Sequence, residues 1–422
     1  MKRFAFLSFV ALLSVLLSGC GSIHANYREV EQLRIIQTLG LDRSPGGVRV
    51  TLAASADRSG DAPLCFDGLG ESVSSAIDNA RIRSVEEDLF TGHLKHILIG
   101  EEAARQSVEP YLSFICRSPD GRMDMPLFIL HGAAAREAMT AVGNGEKGVS
   151  ELLQAAHAKQ GARSGGHVFT AAEILRQLDR QDCALACALR YGPAAEAKGS
   201  SPGAGESSGG GEGAGSQESP DAAEEGSADT GQEGGKTQEE SGRAQEEGFR
   251  TAALDGYAII RGGKVVDYID RETALGADFL LNTVGIQDLV IRDRFGSPVT
   301  LEINSGSTRI HPLWAPDGSL RGIEIYAKVK ASVLETGSAG LSAAENADEL
   351  TGQLESAVSE RIGAVLWRAR TLQADFLGLA DRVEQATPLE YRRQEQPLGP
   401  LLPALELSIA VQGELSHSHD LD

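Results

Sequence analysis

The chain has 422 residues, a formal net charge of −21 and an apolar fraction of 41%. This length suits two or three domains, and the apolar content is enough for real hydrophobic cores. The negative charge argues against nucleic-acid binding and against adsorption to an anionic bilayer.

The first twenty residues have the pattern of a bacterial secretory signal. Lys2 and Arg3 precede an uncharged stretch of 14 residues, Phe4 to Leu17, which is shorter than the roughly 20 residues of a spanning helix. The following Leu-Ser-Gly-Cys20 resembles the lipobox of bacterial lipoproteins. We therefore expect a signal peptide over residues 1–19 and a diacylglycerol and an N-acyl group on Cys20. Two or three acyl chains anchor a protein stably. The alternative is an unlipidated cysteine in an unprocessed signal.

Region 20–192 has mixed α and β patterns, in one or two subdomains. A β-hairpin is expected from strands around 33–39 and 48–54, separated by the turn cluster 42–47. Residues 71–89 carry apolar side chains at helical spacing and predict an amphipathic helix. The remaining predicted elements are strands at 96–99, 125–131 and 184–191, and helices at 133–142, 149–158 and 170–178.

Residues 193–249 differ in composition from both flanks. From Ala194 to Gly248 the chain has no Val, Ile, Leu, Met, Phe, Trp, Tyr or Cys, and thirteen acidic residues oppose three basic ones, which gives a net charge of −10 (3 − 13). Such a segment buries too little apolar surface to offset its ordering entropy. We therefore predict a disordered acidic linker; a docking role is the alternative.

Region 250–415 is predicted to be a β-rich domain with one long helix. Two strands flank Gly262-Gly263, a good hairpin turn, and the helix spans roughly 343–373. In that helix the spacing predicts that Leu354, Val358, Ile362 and Val365 face a sheet, whereas Glu355, Glu360 and Arg361 meet water. The other strands are expected at 285–293, 299–304, 322–334 and 405–411, before a frayed tail over 416–422. Together, the predicted strands and helices of both regions indicate a multidomain α+β fold with mixed, largely antiparallel sheets.

The cysteines and histidines give no clear chemical site. Beyond Cys20, the four cysteines Cys65, Cys116, Cys183 and Cys187 are outside the cytoplasm in this interpretation and could pair. For the last two, which lie four residues apart, the alternatives are core packing, a disulfide or, least favoured, a metal site. His93 and His96 are predicted to be ordinary packing or surface residues, and His417 and His419 fall in the tail.

No catalytic, cofactor-binding or metal-binding residue is expected. The sequence has no Gly-x-Ser-x-Gly elbow, no His-Glu-x-x-His helix and no Walker loop. Asp42 most simply caps a turn, with a contact to a partner as the alternative. The residues by themselves therefore point to an anchored, acidic protein that is not an enzyme.

Five stretches in order resemble the Ger(x)C family of spore-germination lipoproteins. They are Leu-Gly-Leu-Asp at 39–42, His-Leu-Lys-His-Ile-Leu-Ile-Gly-Glu-Glu-Ala-Ala at 93–104, the Tyr-Leu-Ser-Phe and Arg-Ser-Pro-Asp run within 111–120, the segment 256–273, and Gln-Ala-Asp-Phe-Leu-Gly-Leu at 373–379. The resemblance covers about 23–192 and 252–415, and the acidic linker is an insertion beyond it.

The resemblance implies a non-enzymatic subunit of a nutrient germinant receptor. Such lipoproteins lie on the extracytoplasmic side of the spore inner membrane with two integral-membrane partners, one permease-like and one multi-span subunit with a large soluble domain. It implies three α+β domains and a small nutrient ligand of the complex. The alternative is a stand-alone solute-binding lipoprotein, which usually has two βαβ-rich lobes and a hinge; an envelope enzyme is the least favoured.

Overall fold

A computed structural model describes residues 33–54, 64–85, 87–143, 149–158, 166–193, 250–336, 347–394 and 396–417. Cys20, the signal segment and the acidic linker lie outside these residues. The strands are β1 Leu33–Ser44, β2 Gly47–Ala54, β3 Cys65–Gly70, β4 Asp88–Phe90, β5 His96–Ile99, β6 Leu127–His131, β7 Cys183–Pro193, β8 Arg250–Arg261, β9 Lys264–Ile269, β10 Gln287–Arg292, β11 Pro298–Trp314, β12 Leu320–Thr336 and β13 Glu406–His417. The helices are α1 Val73–Arg83, α2 Glu101–Gln106, α3 Glu109–Arg117, α4 Ala135–Gly143, α5 Val149–Ala158, α6 Ala171–Gln181, α7 Arg271–Leu281, α8 Ala347–Leu372, α9 Leu379–Ala386, α10 Pro388–Tyr391 and α11 Leu398–Leu401.

The strands form two sheets, which confirms the α+β class. The first sheet has nine strands in the order β3-β2-β1-β5-β6-β7-β8-β9, with β4 beside the start of β1. Its four central strands, β1, β5, β6 and β7, are parallel, and the strands on either side pair in antiparallel fashion. The helical connections that parallel neighbours require are α2 and α3 between β5 and β6, and α4 to α6 between β6 and β7.

The first sheet continues across the acidic linker. Strands β7 and β8 are antiparallel neighbours, and their last paired residues are Pro193 and Arg250. The linker therefore joins the ends of two paired strands, as a hairpin loop does. The sequence analysis assigned β8 and β9 to a C-terminal region that begins at residue 250, and in the structure both strands pair into the first sheet. The cause is long-range hydrogen bonding, which local composition does not encode.

Both faces of the first sheet are covered. Along β5, Ile97 and Ile99 pack into the larger core, whereas Leu98 between them packs into a smaller core on the other face. Helices α1, α2, α3 and α6 cover the larger core, and α4 and α5 cover the smaller one with Met139 and Leu153. Alternation along a strand sends successive side chains to opposite faces, so a strand buried on both faces reads as the continuous apolar run seen at 96–99.

The second sheet, in the order β10-β11-β12-β13, packs on α8. Leu354, Val358, Ile362 and Val365 are buried, as predicted. Helix α7 crosses α8 so closely that a Cβ on Gly276 would lie 2.2 Å from the carbonyl oxygen of Arg361. Side chains of α7 also belong to the larger core that reaches the first sheet, so this helix connects the two sheets.

Two of the three charged residues predicted to meet water in α8 are instead half-buried and bonded within the protein. Glu355 accepts a hydrogen bond of 2.8 Å from the backbone N–H of Gly413 in β13. Seven residues make nearly two helical turns, so Glu355 lies on the same side as Ile362 rather than opposite it. Arg361 donates to Glu272 of α7 at 2.7 Å and has only 14% of its side chain exposed. Glu360 is exposed, as expected.

Two predicted boundaries are also wrong. The helix predicted over 71–89 ends at Arg83. The apolar residues after it do not continue the buried face of the helix, since Val85 is 90% exposed and Leu89 is buried in strand β4. The tail predicted over 416–422 begins later, since β13 pairs with β12 as far as His417. Helices α2, α3, α7 and α9 to α11 and the short strands β3 and β4 were not predicted. Within the described part of the chain, no helix combines the length and the apolar character that crossing a bilayer requires.

Candidate functional site

The first two family-like stretches meet at the carboxyl ends of the parallel strands. Asp42 lies near the end of β1, and its two carboxylate oxygens accept hydrogen bonds from the backbone N–H groups of Ala135 (2.7 Å) and Arg136 (2.8 Å). Asp42 therefore caps α4, a helix about ninety residues away in sequence, and not a turn of its own hairpin. Both earlier interpretations of Asp42, a turn cap or a partner contact, are replaced by this helix cap.

Gly100, which ends β5, leaves room for this carboxylate. A Cβ at position 100 would lie 2.0 Å from Oδ1 of Asp42 and 3.0 Å from the backbone nitrogen of Ala135. Any other residue there would displace the cap. Burial raises the pKa of Asp42, although the two backbone hydrogen bonds act in the opposite direction.

A group of charged and aromatic side chains continues along the same edge of the sheet, and we call it the carboxyl-edge cluster. Its members come from helix α2 and from strands β6 to β9: Glu101, Arg105, His131, Arg190, Asp255 and Tyr268. Glu101 accepts from Arg105 at 2.7 Å and from the backbone N–H of Gly132 at 2.5 Å. The cluster joins elements on both sides of the acidic linker.

His131 is the centre of the carboxyl-edge cluster. Its ring stacks on Tyr268 with a centroid distance of 4.0 Å, and its Nδ1 lies 3.3 Å from Oδ2 of Asp255. Arg190 donates to the same oxygen at 2.8 Å. Burial alone would raise the pKa of Asp255, but the hydrogen bonds from His131 and Arg190 outweigh it and hold the pKa below its usual value. The guanidinium carbon of Arg105 also lies over the Tyr268 ring, 5.5 Å from its centroid.

This edge of the sheet is filled by the protein's own carboxylates. In open α/β sheets, ligands bind outside the carboxyl ends of parallel strands, often as anions at a helix N-terminus. Here the Asp42 carboxylate binds the N-terminus of α4, and Glu101 accepts a hydrogen bond from the backbone N–H of Gly132, shortly before that helix. These hydrogen bonds hold the strand ends and the helices together. The backbone N–H groups that an anionic ligand would use therefore already have acceptors within the protein.

A second polar contact joins the two sheets through their helices. Arg180 of α6 lies 2.9 Å from Asp381 and 2.9 Å from Glu384, both in α9. Nearby, Asp375 accepts from the backbone N–H groups of Leu379 (2.9 Å) and Ala380 (2.7 Å) and so caps α9. Because burial outweighs those bonds, the pKa of Asp375 is raised to about 7.

The histidines singled out in the sequence lie in packed positions or near the C-terminal end of the described residues. His96 is buried in β5 beside Phe128, and burial lowers its pKa to about 4. His93 contacts the edge of Phe90 with a centroid distance of 5.5 Å. His417 ends β13, and His419 lies outside the described residues. Among those residues, no three His, Cys, Asp or Glu side chains are grouped to hold a metal ion.

The four cysteines within the described residues are free thiols. Cys183 and Cys187 are buried in β7, where burial raises the pKa of both. Four residues of a strand span about 13 Å, which is too far for a disulfide; the core-packing interpretation is therefore the one that fits. Cys65 is half-buried and Cys116 is exposed.

The carboxyl-edge cluster was not predicted from the sequence. His131 ends one predicted strand, Arg190 lies next to the end of another, and Glu101 follows a third shortly after its end. These positions point to a common site only once the strands are known to be parallel and adjacent. The predicted site residue Cys20 lies outside the described residues, so its lipidation stays a prediction.

Comparisons with known proteins agree on one family. A model described as the spore germination protein N-terminal domain matches residues 26–190, and one described as spore germination B3/GerAC like, C-terminal, matches 255–419. The solved structure titled "Crystal Structure of the GerBC protein" is 15% identical with a TM-score of 0.52, and the match covers 92% of this chain and 99% of that one. No curated protein matches the chain. Because the two family models together span most of the sequence, the chain belongs to the Ger(x)C family of germinant-receptor C subunits.

Proposed function

We propose that the protein is a lipid-anchored, non-enzymatic subunit of a nutrient germinant receptor. In this proposal the acyl groups on Cys20 hold it on the extracytoplasmic side of the spore inner membrane, beside a permease-like and a multi-span subunit. The observation that carries the proposal is the match of both family regions in order, at 26–190 and 255–419.

The physical role would be positioning. Attachment to the membrane raises the effective concentration of a protein near partners in the same bilayer, which strengthens binding without new contacts. The self-filled carboxyl edge supports a rigid binding role, since Asp42 and Glu101 use the backbone donors that a catalytic or anion-binding site would offer.

The alternative, a stand-alone two-lobed solute-binding lipoprotein, has less support. Its lobes should be joined by a hinge, and the natural place would be the acidic linker. The pairing of β7 with β8 and the packing of α7 between the sheets join both halves instead.

Deletion of the gene tests the receptor role. Spores should form normally but release dipicolinic acid slowly, or not at all, in response to one set of nutrients. Wild-type release for every nutrient, in a strain without a second receptor, would contradict the proposal.

The anchor needs its own test. Cys20→Ala should abolish incorporation of radiolabelled palmitate, and the variant should fail to restore germination in the deletion strain. Cys116→Ala is the matched control, because its exposed thiol is not in a lipobox, and it should be labelled as the wild type is. Equal labelling of the Cys20 variant would rule out the anchor.

A further inference from the structure

The described part of the chain begins at the edge of the first sheet where the parallel strands start, and we call it the amino edge. Leu33 is the first residue of β1, and Asp88 of β4 is its register partner. The turn between α1 and β4 therefore lies beside the point where the chain enters the fold. Arg34 donates to both carboxylate oxygens of Glu87, at 2.6 and 2.8 Å, and so holds this turn against β1.

Exposed apolar side chains are concentrated at the amino edge. Among the residues that the structure describes, thirteen large apolar side chains are exposed, and five of them lie here: Ile35, Leu64, Ile82, Val85 and Phe90. Val85, 90% exposed, and Ile82, 72% exposed, are the two most exposed of the thirteen. None of the thirteen lies at the carboxyl edge. A concentration of this kind marks a contact surface, whereas apolar side chains exposed singly do not.

Strand register places these five residues at one edge. Ile35 and Phe90 are register partners near the starts of β1 and β4. Leu64 directly precedes β3, which is antiparallel to β2 and so runs in the same direction as β1. Ile82 is in the last turn of α1, and Val85 follows in the turn that leads to β4.

Many charged side chains of the amino edge are paired with one another. Arg81 lies 3.1 Å from Asp78 and 3.6 Å from Asp120, and Arg122 lies 2.6 Å from Asp124. A contact at this edge would therefore depend on apolar side chains rather than on attraction to a charged partner. A membrane interface suits such a surface, since apolar groups of interfacial proteins lie about 5–10 Å into the boundary between headgroups and acyl chains.

We infer that the amino edge rests on the membrane surface, with Val85 and Ile82 inserted among the lipid headgroups. This orientation depends on the proposed anchor at Cys20. Thirteen residues lead from Cys20 to Leu33 (33 − 20), and they span at most about 45 Å when fully extended. The anchor therefore keeps this edge close to the bilayer, and lipid is the partner that such a tether brings to it.

The acidic linker then leaves the fold on the side away from the membrane. Pro193 of β7 and Arg250 of β8 are paired at the carboxyl edge, which is opposite the amino edge. The linker between them has a net charge of −10 (3 − 13). The same orientation directs the carboxyl-edge cluster away from the lipid.

The test places a tryptophan at each edge and measures which one reaches lipid. The chain from residue 21 onward, with an N-terminal histidine tag in place of the acyl groups, is tethered to phosphatidylcholine vesicles through a nickel-chelating lipid. Val85→Trp marks the amino edge, and Glu102→Trp, at an exposed position of α2, marks the carboxyl edge. The fluorescence that each substitution adds to the two native tryptophans is compared with and without bromine on the acyl chains near the headgroups, because bromine quenches tryptophan only at short range.

Bromine should remove most of the fluorescence added by Val85→Trp and none of that added by Glu102→Trp. Ile82→Asp in the Val85→Trp chain should restore most of the signal, since a carboxylate opposes insertion into lipid. Leu389→Asp is the matched control, because Leu389 in α10 is 70% exposed, close to the 72% of Ile82, and it should leave the quenching unchanged. All four positions are exposed, so none of the substitutions should change Tm.

Unquenched fluorescence in Val85→Trp, equal quenching in Glu102→Trp, or quenching in Val85→Trp that survives Ile82→Asp would overturn the proposed orientation. The histidine tag supplies the tether whether or not Cys20 is acylated. Failure of the orientation therefore leaves the anchor intact, and failure of the anchor appears separately as loss of palmitate labelling.

Discussion

Ile362→Asp tests whether α8 supports the second sheet as the structure describes. Ile362 is 0% exposed in the middle of α8. It lies at the crossing with α7, where the backbone at Arg361 and Ile362 is within 3 Å of the Cβ position of Gly276. Neither helix has space to move toward the other, so the substituted site cannot close easily.

The expected cost is several kcal/mol. Loss of a buried isoleucine side chain usually costs about 2–5 kcal/mol. To remain neutral at pH 7 the new carboxyl must raise its pKa by about 3 units, which is about 4 kcal/mol. The sum, about 6–9 kcal/mol, is comparable to the whole stability of a domain, about 5–15 kcal/mol. We therefore expect the second sheet and its helices to unfold.

The assay is urea unfolding of the chain from residue 21 onward. An isolated piece that begins at residue 250 is unsuitable, because β8 and β9 would lose their partners in the first sheet. The chain has two tryptophans, Trp314 in β11 and Trp367 in α8, so intrinsic fluorescence reports on the second sheet and α8. Trp314 is the sensitive one, since it is half-buried and its indole donates to Thr387 at 3.2 Å.

Two variants on the same helix calibrate the result. Glu360→Ala should change the free energy of unfolding by less than about 0.5 kcal/mol, as exposed substitutions usually do. Glu355→Ala should cost about 1–3 kcal/mol, since the N–H of Gly413 loses its acceptor. If Ile362→Asp is as stable as Glu360→Ala, then Ile362 is not in a core and the packing of α8 described above is wrong.

Three further predictions concern the helix crossing, the buried carboxyl and the linker. Gly276→Ala should destabilise the protein by about 1–3 kcal/mol in urea unfolding, because the new methyl group meets the backbone of α8. Gly352→Ala in α8 has open space around the new methyl group and should instead stabilise the protein by about 0.5–1 kcal/mol. Equal effects of the two substitutions would contradict the close crossing of α7 and α8. The pKa of Asp375 is raised to about 7, so its favourable contribution, complete below about pH 4, is lost as the pH rises through 7. Asp375→Asn should therefore gain stability relative to the wild type as the pH rises from about 4 to 7, and a constant difference over this range would exclude the titration. Deletion of 200–247 should lower Tm by less than about 5 °C, because a loop of eight residues can still join the paired ends of β7 and β8; a larger drop would mean that the linker packs on the fold.

The hairpins and the core face of α8 were predicted correctly, because their sequence signals extend over only a few neighbouring residues. The alternation in 48–54 and the turn cluster before it correspond to the hairpin of β1 and β2, and Gly262-Gly263 joins β8 and β9. Helical spacing gave the core face of α8 correctly for Ile362 and its neighbours. It misplaced Glu355, which lies nearly two helical turns before Ile362 and therefore on the same side of α8.

Sequence by itself determined the family, the α+β class and the residues that form the hairpins and the main helices, because side-chain alternation, helical spacing and turn residues act over a few positions. Only the tertiary structure decided which strands pair. Asp42 meets its partner nitrogen 93 residues away, and Pro193 pairs with Arg250 across the acidic linker. Such contacts depend on backbone hydrogen-bonding groups, and every residue except proline carries the same donor and acceptor. The amino-acid composition of a segment therefore does not predict which distant segment it will bind. The carboxyl-edge cluster depends on that pairing, and for this reason it was not visible in the sequence.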